Sequence, residues 1–217
     1  RISGESTREK YENGLKAVVS DTVCFPAKLV HGHIRELEKM GVDRIFFPSI
    51  TTVPPENQEK TSESMCAVVK GYPLVIRNSD NPDKRKKSHL EAPMFHWCSE
   101  KDRKRQLCRY MKETFGVSEA ETIQAIEAGQ RAQDQFKKEL QDQGKRVLQE
   151  VTEKGTYAVI LASRPYQNDT LVNHDLPGMF VEEGIPVLTV DSIPNLGEVE
   201  LDKSRLDIVN NYHARML

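Results

Sequence analysis

The run Tyr157-Ala158-Val159-Ile160-Leu161-Ala162 is almost wholly apolar and too short for a surface helix. Such a run is expected of a strand buried on both faces of a parallel sheet, and parallel strands need a crossover between them, usually a helix. The next residues supply one. After Arg164-Pro165-Tyr166 a helix is expected from about Asn173 to Glu183, ended by Gly184 and leading into the strand Pro186-Val187-Leu188-Thr189-Val190. The first part of the chain shows the same alternation. Leu15 to Val19 is a short apolar run, and Ala27, Val30, Ile34 and Leu37 then recur at helical spacing up to Met40. Pro26 opens that helix and Gly41 closes it. Arg44-Ile45-Phe46-Phe47-Pro48 reads as a strand ended by its proline, Thr51 to Glu63 as a polar loop, and Leu74 to Ile76 as a third strand.

Alternating strands and helices place the chain in the α/β class, as two Rossmann- or flavodoxin-like lobes with parallel sheets. A long helical segment joins them. It begins at Ser118, which forms a capping box with Glu121, and carries Ile126, Gly129, Phe136, Leu140, Val147 and Val151 along one stripe, with Gly144 as a point of division. The expected organisation is a first lobe over residues 1–115, a helical connector over 116–155 and a second lobe over 156–217. Asn78 to Arg105, with Lys84 to Lys87 and Lys101 to Arg105, reads as a solvated basic loop. The last 18 or so residues read as one more helix, and the abrupt stop at Leu217 is what an excised fragment would show.

Lysine and arginine total 31 against 33 acidic residues, a formal charge of −2, which argues against a dedicated nucleic-acid binder. No stretch approaches the roughly 20 apolar residues of a membrane span. The mean hydropathy is −0.59. Cys24, Cys66, Cys98 and Cys108 form no C-x-x-C pair, so they resemble neither a compact zinc module nor a disulfide framework, and they read as thiols of a reducing, cytoplasmic compartment.

In open parallel sheets ligands bind beyond the carboxyl ends of the strands. Four segments map there: Ser20 to Pro26, Pro48-Ser49, Ser163 to Tyr166, and Asp191 to Pro194. Cys24 stands just before a helix start, where unpaired amides and the helix dipole favour an anion; that suits a metal ligand or a nucleophile. The competing reading is a small buried hydrophobe. Lys28, His31 and Arg35 share one flank of the same helix, where positive charge can meet an acidic substrate, although His31 or His33 can equally cap or pack. Cys66 precedes the turn Gly71-Tyr72-Pro73.

The run from Ser20-Asp21-Thr22-Val23-Cys24-Phe25-Pro26 through Lys28, His31-Gly32-His33-Ile34 to Gly41-Val42-Asp43-Arg44-Ile45-Phe46-Phe47-Pro48 resembles the dehydratase-like domain of proteins that activate (R)-2-hydroxyacyl-CoA (2-hydroxyglutaryl-CoA) dehydratases. The resemblance continues through Cys66 to Pro73 and Val75-Ile76-Arg77, and returns at Arg164-Pro165-Tyr166, Asn173-His174 and Leu188 to Ser192. It implies an iron–sulfur cluster of the [4Fe-4S] type held by Cys24 and Cys66, fed with electrons by an ATPase activator module and serving an acyl-CoA substrate. It further implies that His31, Arg164, Tyr166 and His174 act at the reaction, and that Lys28, Asn173, Asp191 and Ser192 bind substrate or cofactor. The chain departs from the pattern where Ser49 occupies a strand end that a third cysteine would suit. It departs again at Gln167 and Asn168, and at Asp175, where glycine is common. A docking or scaffold domain that has lost its cluster is the alternative.

Overall fold

The structure is a computed structural model and describes residues 1–56, 61–194, 196 and 209–216. Two compact units are formed from interleaved segments. The first comprises Arg1–Val53, Ser64–His96 and Tyr166–Asp175; the second comprises Pro54–Glu63, Trp97–Pro165 and Leu176–Leu217. The chain therefore changes units at these crossings rather than at the expected 115 and 155, and the long helix belongs to the second unit.

In the first unit, helix α1 (Arg8–Leu15) starts at Thr7, whose hydroxyl accepts the Lys10 amide, and packs against α2 (Phe25–Lys39). The two backbones meet through glycine. A Cβ added to Gly14 would stand 2.4 Å from the Gly32 nitrogen, and one on Gly32 would stand 2.0 Å from the Lys10 carbonyl oxygen. The strand expected at Leu15–Val19 does not form: α1 runs into it, turn hydrogen bonds follow, and Leu15 and Val19 are exposed.

Strands β1 (Arg44–Phe46) and β2 (Ser49–Thr52) flank Pro48. Strand β3 (Thr61–Ser62) follows in the second unit, and α3 (Ala67–Ser79) then returns the chain for a crossover. Beyond it, β4 (His89–Glu91) pairs parallel with β1, and β5 (Met94–His96) pairs parallel with β2. Hydrogen bonds donated by the Phe47 amide to the Glu91 carbonyl and by the Ser49 amide to the Pro93 carbonyl carry the pairing past the prolines. Two expectations fail here. Leu74–Ile76 lies within α3 because Tyr72, Pro73 and Ile76 are buried on one side of a helix, and the basic loop contains two buried-centre strands, with Leu90 and Phe95 turned inward. The core gathers Ala27, Ile34, Ile45, Tyr72, Ile76, Leu90 and Ala92. Helix α6 (Thr170–Asn173), capped by Asp169, completes the unit.

In the second unit, α4 (Glu100–Phe115) ends at Gly116 and α5 (Glu119–Glu153) begins at Ser118, whose hydroxyl accepts the Glu121 amide as the capping pattern predicts. Gly144 does not divide α5. It lets the helix approach residues 190–192, where a Cβ would meet the Ser192 carbonyl oxygen at 1.9 Å. Strand β6 (Val159–Leu161) pairs parallel with β7 (Val187–Thr189) through α7 (Leu176–Glu182), although Ile160 is 48% exposed and two-faced burial is not found. The helix expected over 173–183 is broken by His174 and Asp175, both left-handed with φ of 56°. A short ladder joins β3 to β8 (Val209–Asn210), and α8 (Asn211–Met216) follows; the rest of the expected terminal helix lies outside the described residues. The architecture is α/β with short parallel pairs joined through helices.

Candidate functional site around two helix starts

Cys24, with extended backbone, is the N-cap of α2 and Cys66 the N-cap of α3, and neither side chain caps its helix. Cys24 is exposed and Cys66 half-buried. Pro26 in the first turn of α2 lacks an amide hydrogen where none is required, which helps this start to form. In α3 the interior Pro73 is wholly buried, so packing holds a helix that the Gly71-Tyr72-Pro73 sequence disfavours.

His31 joins these helices. Its ring is 0% exposed, with Nδ1 2.7 Å from Asp80 Oδ2 and Nε2 3.0 Å from the Tyr72 hydroxyl. The His31 and Tyr72 rings meet edge to face at 5.7 Å. One turn further along α2, Arg35 donates to Asp80; Arg85 donates to Asp80 as well and, through Nε at 2.9 Å, to Glu38. Passing from His31 to Arg35 on α2 thus corresponds to passing from Tyr72 towards Asp80 on α3, so the helices run in the same sense. Cys24 lies seven residues before His31 and Cys66 six before Tyr72, about 10 Å and 9 Å back along their axes at 1.5 Å per residue. Both cysteines therefore stand at the same end of one packed helix pair.

Burial opposes the charge on Asp80, but the His31 hydrogen bond and the Arg35 and Arg85 guanidiniums outweigh it and hold the carboxyl below its ordinary value. Burial raises the Tyr72 phenol, and the neighbouring Cys24 and Asp80 raise it further. Burial lowers His33, which rests between the Ser6 and Ser3 hydroxyls at 3.1 and 3.0 Å.

The expected flank of positive charge is corrected by this geometry. His31 and Arg35 turn to Asp80, because a buried carboxylate needs compensating partners, and Lys28 donates to the Asp21 carbonyl at 2.8 Å. His31 has no surface on which to meet a substrate. Ser49, at the strand end, is buried and donates to the Lys70 carbonyl. In the first unit Tyr166 is 41% exposed, Asn173 holds its own turn through the Gln167 carbonyl and the Asp175 amide, and His174 is exposed. Asp175 adopts the backbone region that glycine favours, at the position where the resembled domain commonly has glycine.

In the second unit Arg164 is half-buried, Asp191 pairs with Arg215, and Ser192 is buried with its hydroxyl on the Thr189 carbonyl at 2.8 Å. Cys98 is raised above its ordinary value by a hydrogen bond to Glu63 and by burial, and Cys108 by burial. Sequence reasoning missed Tyr72, Asp80 and Arg85. The only available signal was the four-residue spacing of Val68, Tyr72 and Ile76, which Gly71 and Pro73 obscure.

A family model described as CoA enzyme activase uncharacterised domain (DUF2229) matches residues 1–193, which takes in both helix starts and the His31 clamp. The chain belongs to this family. Neither a comparison with curated proteins nor one with solved structures returned a match. Among the described residues no helix is long and apolar enough to cross a membrane.

For the cluster implied by the resemblance, two thiolates at helix starts are suitable soft donors. Among the described residues of this CoA enzyme activase domain, no group of three His, Cys, Asp or Glu side chains converges to complete the set.

Proposed function

We propose that this domain is a thiolate-bearing component of a CoA-enzyme activation system, in which Cys24 and Cys66 contribute two ligands to an iron–sulfur centre. The further ligands come from outside the described residues. The observation that carries the reading is the placement of both cysteines as N-caps of two helices that run in the same sense and are joined through His31. Helix starts present backbone amides and the positive end of the dipole, the environment that favours a thiolate over a thiol. The centre would receive a low-potential electron from an ATPase activator module for 2-hydroxyacyl-CoA dehydration or a related reduction, in the cytoplasm. The protein's own contribution is to hold two sulfurs in fixed relation at an accessible edge, with Lys28 near the same helix start. Tyr166 and His174 are the exposed candidates for substrate contact.

Anoxic reconstitution with iron and sulfide, with and without the activator module, tests the reading. Bound iron and acid-labile sulfide are expected, lost in Cys24→Ala and Cys66→Ala and retained in Cys108→Ser. Protein that stays iron-free in both mixtures, yet binds the activator undiminished after both replacements, would establish a docking domain instead.

A further inference from the structure

The reading above leaves a wholly buried histidine whose two hydrogen-bond partners, Tyr72 and Asp80, also carry no chemistry. We infer that His31 is a positioning residue for the cysteine pair: by bridging Tyr72 and Asp80 it fixes the offset of α2 along α3, and with it the separation of the Cys24 and Cys66 sulfurs. The inference rests on the proposed pairing of those two thiolates.

Ala27 and Ile34 of α2 share one apolar cluster with Tyr72 and Ile76 of α3, and burial of this kind is non-directional and tolerates sliding. Hydrogen bonds do not, because they weaken steeply with misalignment. His31 uses both ring nitrogens, at 2.7 Å and 3.0 Å, on two points of α3 eight residues apart in sequence, so it resists both translation and rotation of that helix. Asp80 cannot swing away, since Arg35 from α2 and Arg85 grip its other oxygen and Glu38 of α2 grips Arg85. Three side chains of α2, at positions 31, 35 and 38, thus hold the end of α3, while its start carries Cys66. The clamp lies about two helical turns behind the cysteines, so a shift at His31 is carried along both helices to the thiols. With no exposed surface, His31 acts only through the groups it holds.

The test uses the full chain with Cys98→Ser and Cys108→Ser, leaving two thiols. Cd²⁺ is titrated under anoxia and followed by sulfur-to-metal charge-transfer absorbance, with thermal midpoints recorded in parallel. Tyr72→Phe removes the hydroxyl and keeps the ring; His31→Gln keeps polarity but not both bonds. Both are expected to lower Cd²⁺ affinity about 10- to 100-fold, the usual effect of removing a group that orients metal ligands. Leu90→Ala, in the same apolar core but outside the clamp, lowers the thermal midpoint and leaves the affinity unchanged. Affinities in both clamp variants within twofold of the parent, or an equal loss in Leu90→Ala, would overturn the positioning role and leave the thiolate pair standing. A parent whose Cd²⁺ binding is indifferent to Cys24→Ala would remove the pair itself.

Discussion

The four cysteines divide equally between the two units, and the units hold them differently. In the first, Cys24 and Cys66 head α2 and α3, helices joined by the buried His31 bridge. In the second, Cys98 precedes α4 with its thiol against Glu63, and Cys108 lies within α4, half-buried; both are raised above the ordinary thiol value. Spacing in sequence does not separate these pairs. Their surroundings do: Cys24 and Cys66 are each the N-cap of a helix, whereas Cys98 lies against a carboxylate and Cys108 is packed within a helix.

The units also differ in how they are stabilised, and substitutions can test this. The largest effect is expected at Asp80. Asp80→Ala leaves His31, Arg35 and Arg85 without their shared buried acceptor and is expected to cost about 3–5 kcal/mol, read from urea unfolding. The contribution has a pH signature. Because the folded-state value of Asp80 is depressed, its stabilisation is complete above the unfolded value of 3.8 and is lost as pH falls through the folded one. The stability difference between the parent and Asp80→Asn is therefore constant at neutral pH and narrows in acid.

The second unit depends on a close approach instead. Gly144→Ala places a methyl group against the Ser192 carbonyl and is expected to cost about 1–3 kcal/mol. This cost is independent of pH between neutrality and pH 5, since no titrating group is removed. A smaller effect, about 1 kcal/mol, is expected for Ser118→Ala, which removes the cap of α5 and lowers helicity in circular dichroism.

Local rules account for what could be read from the sequence. Pro26 and the spacing of Ala27, Val30, Ile34 and Leu37 locate α2 to within two residues at its start, and Gly41 and Gly184 stand at helix ends with φ of 65° and 75°. The apolar runs at 157–162 and 186–190 contain β6 and β7. Long-range terms decide the remainder. The His31 partners lie 41 and 49 residues away, beyond any periodicity, and α3 is a helix because its buried side outweighs Gly71 and Pro73. Strands β4 and β5 have three residues each within a basic stretch, too short for an alternating pattern to stand out. Of the candidate residues, Cys24 at its helix start was legible from local chemistry, whereas Cys66 entered through the resemblance and the helix it heads was not foreseen. That His31 is wholly buried was not, since an amphipathic count cannot foresee a buried carboxylate opposite.

The most direct test is to treat the anoxic Cys98→Ser, Cys108→Ser protein with a short bifunctional thiol reagent and identify the products by peptide mass spectrometry. The helix geometry predicts a dominant intramolecular link between the peptides carrying residues 24 and 66. Single adducts on each cysteine, with no link formed in the folded protein, would contradict it.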